Sequence, residues 1–407
     1  YGVKDLFDVA GLPTTAGAGM RADAPPATGD AEAIVRMKRA GAVLLATLNM
    51  DEYAYGFATI NAHHGTTRNP HDPDRLAGGS SGGSAAAAAG GLLPITLGSD
   101  TNGSIRVPAS LTGTYGLKPT HKALPMAGVF PFVDSFDDIG PFAASIADLE
   151  LAWRVLGGEG ASVPGEARVA RLGGWFRDNA IPEMLVGVDA TAEALGGEAL
   201  VELPEVARAR SAAFLMTAAE GGALHLPELR RRPMAFDPAT RDRLIAGATL
   251  PASTYLRAQR FRAWFAARAA ELFADYDVLI APAVPGFAPL IEDPTIQIGG
   301  EPVPARAHLG IYTQPLSFIG LPVITVPLLR PGLLPLGVQL IGAPEAEPLL
   351  FAVAAKLEAM GVTGFTPPPT RDQSHIATTP SADRMPDIPG AQGDGAWEEM
   401  SDQGGTA

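Results

Sequence analysis

The stretch from Gly78 to Pro119 reads GGSSGGSAAAAAGGLLPITLGSDTNGSIRVPASLTGTYGLKP. It holds two Gly/Ser clusters, Gly78 to Ser84 and Gly98 to Ser104, separated by an alanine run and a short apolar run. Glycine loses the most backbone entropy on folding, so it belongs where a chain turns sharply or approaches another group closely. A flexible Gly/Ser linker is the plain alternative. A linker would not enclose Ala85 to Ala89 and Leu92 to Leu97, which read as a buried helix start and a buried strand. Two backbone turns meeting at one site is therefore the expectation.

Working outward, the chain has 407 residues, 46% of them hydrophobic and 18% charged, with a formal net charge of -14. That is ample for a large core. The acidic balance argues against nucleic acid as partner, because phosphate binding needs clustered Lys and Arg. No apolar run approaches the roughly 20 residues that span a bilayer. With no cysteine, thiolate chemistry, disulfides and Cys-based zinc sites are excluded. The sequence begins at Tyr1, and Gly2-Val3-Lys4-Asp5 reads as mid-domain, so trimming at the N-terminus is expected. No signal peptide is visible and a cytoplasmic location is expected.

Asp30 to Ala40 reads as an amphipathic helix capped by Asp30 and ended by Gly41, followed by a buried parallel strand over Val43 to Leu48. Asn49-Met50-Asp51-Glu52 falls at that strand's end, where open α/β sheets place functional loops. His63, His64 and His71 lie in a polar loop without the helical spacing of a metal site. Ile146 to Leu156 reads as a helix. Ala207 to Glu220 does too, stopped by Gly221-Gly222, with His225 just beyond as a surface or core residue. Ser253 to Ala274 reads as a long helix with Ser253 as cap and Arg257, Arg260, Arg262 and Arg268 on a solvated face. Asp277 to Ala281, Val323 to Pro327 and Gly337 to Ile341 are further strands, and Ala346 to Leu357 closes the domain. From about residue 366 to 407 the composition turns acidic, Pro-rich and poor in aliphatics, which predicts a disordered tail after a domain of residues 1 to 365.

Hydrolytic acyl transfer needs a nucleophile, a base and donors for the oxyanion. Ser104 follows a strand through a Gly-rich turn, where the backbone N–H groups of Thr101, Asn102, Gly103 and Ser104 can converge. Phosphate cradling is the competing use of such amides. The P-loop pattern requires Gly-Lys-Ser/Thr, and neither cluster contains a Lys. No His lies in either cluster, although a His from elsewhere in the chain stays open. A lysine held neutral by burial is the other solution, and Lys4, flanked by Val3, Leu6 and Phe7, is a candidate.

These motifs resemble the amidase signature family, whose hallmarks are a GGSSGGS turn, a GSDTGGSIRxPA turn and an upstream lysine in a GVKD-type motif. The resemblance runs through Gly2 to Asp5, Gly78 to Ser84, Gly98 to Ala109, Asn49 to Tyr53 and Pro335 to Leu340. It implies an α/β/α sandwich around a large mixed β-sheet. It implies Ser104 as acyl nucleophile, Ser80 (on a cis peptide in the family) as proton relay, and Lys4 as base and then acid. Backbone amides of Thr101, Asn102, Gly103 and Ser104 would form the oxyanion hole, while Ser81, Asp100 and Arg106 hold the turns together. No cofactor and no metal are implied.

One departure is Asn102-Gly103 where most of the family has Gly-Gly; Asn best tolerates unusual backbone angles and adds an amide to the pocket wall. The wording TNGSIRVPAS, with Asn49 to Gly56 and Phe130 to Ser135, looks most like the 1-carboxybiuret hydrolase branch. That branch implies a small-molecule amide substrate, cyanuric acid breakdown, a small helical partner subunit and a homo-oligomer. The amidase subunit of a tRNA-dependent amidotransferase and an inactive scaffold subunit are the competing readings. The pocket is expected from loops after Met50, around Phe130 to Ser135 and around Tyr312 to Ser317. An arginine should meet an anionic substrate, with Arg106, Arg306 and the helix arginines as candidates.

Overall fold

Short β-branched runs and small-residue segments assemble into one ten-stranded mixed sheet in the computed structural model, which describes residues 1–161 and 166–369. In chain order its strands are β1 (Gly2–Lys4), β2 (Ala46–Leu48), β3 (Ile95–Asp100), β4 (Tyr115–Lys118) and β5 (Asp138–Ala143). They continue with β6 (Val169–Leu172), β7 (Ala199–Val201), β8 (Val278–Pro282), β9 (Val323–Pro327) and β10 (Gly337–Gly342). Across the sheet the order is β2-β1-β3-β5-β4-β9-β10-β8-β6-β7. The pairs of β1 with β2 and β3, and of β6 with β7 and β8, are parallel. The five central pairings, from β3–β5 to β10–β8, are antiparallel.

Successive side chains of a strand point to opposite faces of a sheet. In β5, β9 and β10 every residue is buried, so both faces are covered. The helices Arg106–Thr112, Ile146–Val155, Pro182–Ala194 and Glu347–Ala359 pack on these strands. This is the α/β/α sandwich that the motifs imply.

Register places the site. Parallel pairing sets Gly2 opposite Thr96 and Val3 opposite Leu97, which brings Lys4 level with the end of β3. Antiparallel pairing sets Asp100 opposite Asp138. The carboxyl ends of β1 and β3 and the amino end of β5 thus meet at one rim of the sheet.

Several expectations need correction. Val43 to Leu48 is not a buried strand: β2 spans three residues at the sheet edge, and Val43 and Leu45 are 68% and 69% exposed. Asp30 does not cap the first helix, Glu32–Arg39; its carboxylate instead accepts from the Ala10 amide and pairs with Lys38. Ser253 is no cap either, since the helix Ala252–Asp275 starts after Pro251. Arg262 leaves the solvated face to bond the Ser135 carbonyl at 3.0 Å and lie over the Phe136 ring.

The helix expected to stop at Gly221-Gly222 runs from Val206 to Arg231. These glycines serve packing. A Cβ on Gly221 would lie 2.6 Å from the Phe132 ring, and one on Gly222 would lie 2.4 Å from the Ala248 nitrogen. His225 is buried among Tyr53, Phe130 and Phe236, and burial lowers its pKa to about 4. The expected tail falls almost wholly in residues 370–407, outside the described residues.

Candidate active site

Lys4 ends β1 with its side chain fully buried. Its Nζ donates to Ser80 Oγ at 2.7 Å and to Ser99 Oγ at 2.8 Å. Complete burial pulls the ammonium down from its ordinary 10.5 to about 7, against the opposing influence of Asp51, Asp100 and Asp137. An amine poised there exchanges a proton readily near neutrality.

Ser80 lies in the first turn, whose Gly79–Ser80 peptide is cis. The turn presses on Asp51: a Cβ on Gly79 would stand 2.2 Å from Asp51 Oδ2, so only glycine fits. The same oxygen accepts from the Thr59 and Ala58 amides at 2.8 and 3.3 Å, and the Asp51 amide donates to the Ser80 carbonyl at 3.3 Å. Asp51 is fully buried, with the Arg306 Nε 3.8 Å from its other oxygen. Burial raises its pKa, opposed mainly by Arg306. The sequence reading noted Asp51 at a functional loop without assigning it this buttressing role.

Ser81 joins the two turns. Its amide donates to the Ser104 carbonyl at 3.3 Å, its hydroxyl donates to the Ser99 carbonyl at 3.0 Å, and that hydroxyl receives the Ser99 amide at 3.3 Å. Behind the second turn, Arg106 grips Asp100 with two bonds of 3.0 Å and reaches the Thr313 carbonyl and Gln339 Oε1, each at 3.1 Å. Burial alone would raise the Asp100 carboxyl; Arg106, with Lys118 and the Ile105 amide, outweighs it and holds the group below its ordinary range. Ser81 thus ties the two turns to each other, and Asp100 and Arg106 tie the second turn to the Thr313 carbonyl and Gln339.

The expected set of oxyanion donors is only partly free. The Gly103 amide donates to Asp100 Oδ1 at 2.6 Å. That bond is part of what shapes the turn, and it occupies the Gly103 N–H. Gly103 sits at φ +132°, with Thr313 directly against its α-carbon. Thr313 Oγ1 in turn donates to the Asn102 carbonyl at 2.6 Å. Thr101 Oγ1 donates to Asp137 Oδ1 at 2.6 Å. Burial raises Asp137 to about 6 despite that bond and the Phe132 and Val133 amides.

Ser104 is nearly buried but opens onto a narrow cleft, lined also by Tyr55, Phe57, Phe132, Phe214, Arg243 and Gln314. A second, very small cavity lies on the Ser99 side, against Tyr53, Phe130 and Asp137. The loops after Met50, around Phe132 and around Gln314 contribute as expected. The helices Val206–Arg231 and Pro238–Ala248 add Phe214, Thr217 and Arg243, which the sequence reading missed. Arg243 donates to the Tyr55 carbonyl at 3.2 Å and stacks over the Tyr55 ring at 3.7 Å.

Of the arginines named from sequence, Arg106 is committed to Asp100, and Arg306 to Thr240, Asp237 and the Ile60 carbonyl. Ser99 was also missed, although the register of β1 against β3 brings it to Lys4. The loop histidines do not gather: His63 meets Glu52 at 3.2 Å, and His71 meets the Thr112 carbonyl at 3.1 Å.

Comparison with known proteins points to one family. The Amidase family model matches residues 1–351. The 1-carboxybiuret hydrolase subunit AtzE of Pseudomonas sp. (strain ADP) is 48% identical over 383 residues, covering 89% of this chain and 84% of that protein. A glutamyl-tRNA(Gln) amidotransferase subunit of Roseiflexus castenholzii is 35% identical, covering 86% of this chain and 80% of that protein. A solved structure, described as a vestigial protein complex that reveals the origins of an s-triazine catabolic enzyme, superposes with a TM-score of 0.86 at 47% identity. That alignment covers 90% of this chain and 84% of the other. The chain belongs to the amidase family, built on the amidase signature, whose members hydrolyse amide C–N bonds.

Proposed function

We propose that this chain hydrolyses a small carboxylated amide of the 1-carboxybiuret type through an acyl-enzyme on Ser104. The observation that carries the reading is a fully buried lysine, poised near neutrality, bonded to Ser80 in the turn that Ser81 ties to Ser104. Neutral Lys4 takes the Ser80 proton while Ser80 takes the Ser104 proton, and Ser104 Oγ adds to the amide carbonyl. Amides of Thr101, Asn102 and Ser104 bind the oxyanion. The proton returns from Lys4 through Ser80 to the departing nitrogen, the C–N bond breaks, and the amine or ammonia leaves. Water then adds to the acyl-enzyme with the same groups acting as base and acid, releasing the acid.

Arg243 supports a substrate carboxylate, since a guanidinium in a small, mostly apolar cleft is a fitting anion partner. AtzE, a 1-carboxybiuret hydrolase subunit, is more similar to this chain than the amidotransferase subunit is, which favours the carboxylated amide over glutamine. A related solved structure described as a protein complex supports a partner subunit here, which we infer to be small and helical. Among the described residues no helix is long and apolar enough to cross a membrane.

The test is a small-amide panel scored by ammonia release, with and without a co-expressed partner, alongside Ser104→Ala. Turnover of biuret-type compounds that vanishes in Ser104→Ala, with an unchanged circular dichroism spectrum, is expected. Ammonia release from glutamine alone would move the assignment to the amidotransferase branch, and activity in Ser104→Ala would overturn the mechanism.

A further inference from the structure

The side chain of Asn102 has no part in the proton relay, yet it lines the cleft beside Ser104 while only 5% exposed. Its carboxamide is held in place. Nδ2 donates to Thr217 Oγ1 at 2.8 Å, and the backbone carbonyl accepts from Thr313 at 2.6 Å. Its Oδ1 is buried and has no hydrogen-bond partner. A buried acceptor left unmade forfeits its hydration without compensation. Most such groups in folded proteins are satisfied, so an orphan on a cleft wall asks for a ligand.

The neighbouring polar groups complement it. Arg243 is a pure donor. Gln314 Oε1 accepts from Arg210 Nε at 3.1 Å, which leaves the carboxamide N–H groups of Gln314 as donors. The wall thus offers donors for a substrate's oxygens from Arg243 and Gln314, and an acceptor from Asn102. A carbon-chain amide has no N–H between its carbonyls to meet that acceptor, whereas a ureido compound does.

We propose that Asn102 is a specificity residue whose Oδ1 accepts an N–H from the ureido part of the substrate, so that the cleft selects ureido compounds over amides with a carbon spacer. This rests on Ser104 being the nucleophile of the proposed function. A site built to receive an N–H discriminates strongly against the analogue lacking it, because its own polar group is then left unpaired.

Biuret and malonamide are a matched pair, differing by N–H against CH2 between two carbonyls. The measurement is the ratio of kcat/KM for biuret over malonamide in the wild type and in Asn102→Gly, which carries the residue most of the family has here. The ratio is expected to fall by about tenfold in the variant, the worth of one such bond. A second readout needs no turnover: protection of Ser104 from a fluorophosphonate probe by each compound. Biuret should protect wild type better than Asn102→Gly, with malonamide protecting both alike. A ratio that moves by less than about twofold, with parallel losses for both compounds, would assign Asn102 a structural role and overturn the proposal. Failure of the underlying reading looks different, because Ser104 would then neither take the probe nor be needed for turnover.

Discussion

Replacing Lys4 by Met should abolish turnover and at the same time make the protein more stable at neutral pH. In the unfolded chain this lysine keeps its ordinary pKa of 10.5, while burial in the fold brings it to about 7. The native state therefore binds fewer protons than the unfolded state between these values, and stability rises with pH across that window. The penalty for burying Lys4 is full below pH 7 and gone above 10.5. By linkage it amounts to about 4 kcal/mol at pH 7 and about 2 kcal/mol at pH 9.

Met has a similar length and no charge, so it removes the penalty without leaving a hole. It also strands the hydroxyls of Ser80 and Ser99, which lose their bonds to Nζ, at about 1 kcal/mol each. The net expectation is a variant about 2 kcal/mol more stable than wild type at pH 7, an advantage that shrinks to nearly nothing at pH 9. Urea unfolding followed by tryptophan fluorescence at both pH values reads this directly. A variant no more stable than wild type at pH 7, with the same difference at pH 9, would show that the lysine is not held near neutrality and would refute the base assignment with it.

The wild-type rate profile should carry the same signature: kcat/KM falls about tenfold per pH unit on going below 7, as Lys4 takes up the proton that disqualifies it as a base. A profile flat from pH 5 to 8 is incompatible with that. Gly103→Ala puts a methyl 2.0 Å from Thr313 Oγ1 at a backbone angle that only glycine adopts freely. It should cost about 2 kcal/mol or more in a thermal or denaturant melt and most of the activity; a silent substitution would mean the turn is looser than described. Arg243→Gln should raise KM for a carboxylated amide by about 10- to 100-fold while changing KM little for a neutral amide of the same size. An equal effect on both would deny the guanidinium a role in anion binding.

What could be read from the residues follows from how local each signal is. Ser80 and Ser104 sit in turns whose glycines and hydroxyls announce close backbone approach, whereas Lys4 stood out only as an apolar-flanked candidate until the family resemblance singled it out. Strand and helix segments such as β9 and Ile146–Val155 declare themselves by unbroken or periodic apolar patterning. Other features depend on partners remote in the chain. Nothing near Arg243 marks it as a cleft residue; it reaches Tyr55 across 188 positions. The Gly103 amide was expected to be free because sequence does not show the Asp100 carboxylate folding back onto it. Gly221-Gly222 misled for the same reason: a glycine pair that ends one helix and one that lets two helices touch look identical until the neighbour is known.

That close contact has a consequence for how such a protein can change. The helices Val206–Arg231 and Pro238–Ala248 meet so tightly that a Cβ on Gly247 would stand 1.8 Å from the Ala218 carbonyl oxygen. Phe214 and Thr217 ride on one helix and Arg243 on the other. This wall of the cleft is thus a single jaw, clamped together by glycines and tied to the second turn through the Thr217–Asn102 bond, while Lys4, Ser80 and Ser104 are anchored at the sheet rim. Selection can redraw the jaw, or shift it as one piece, and leave the reaction machinery in register. A lineage built this way can trade one amide for another by substitutions that never touch the three residues proposed to do the chemistry.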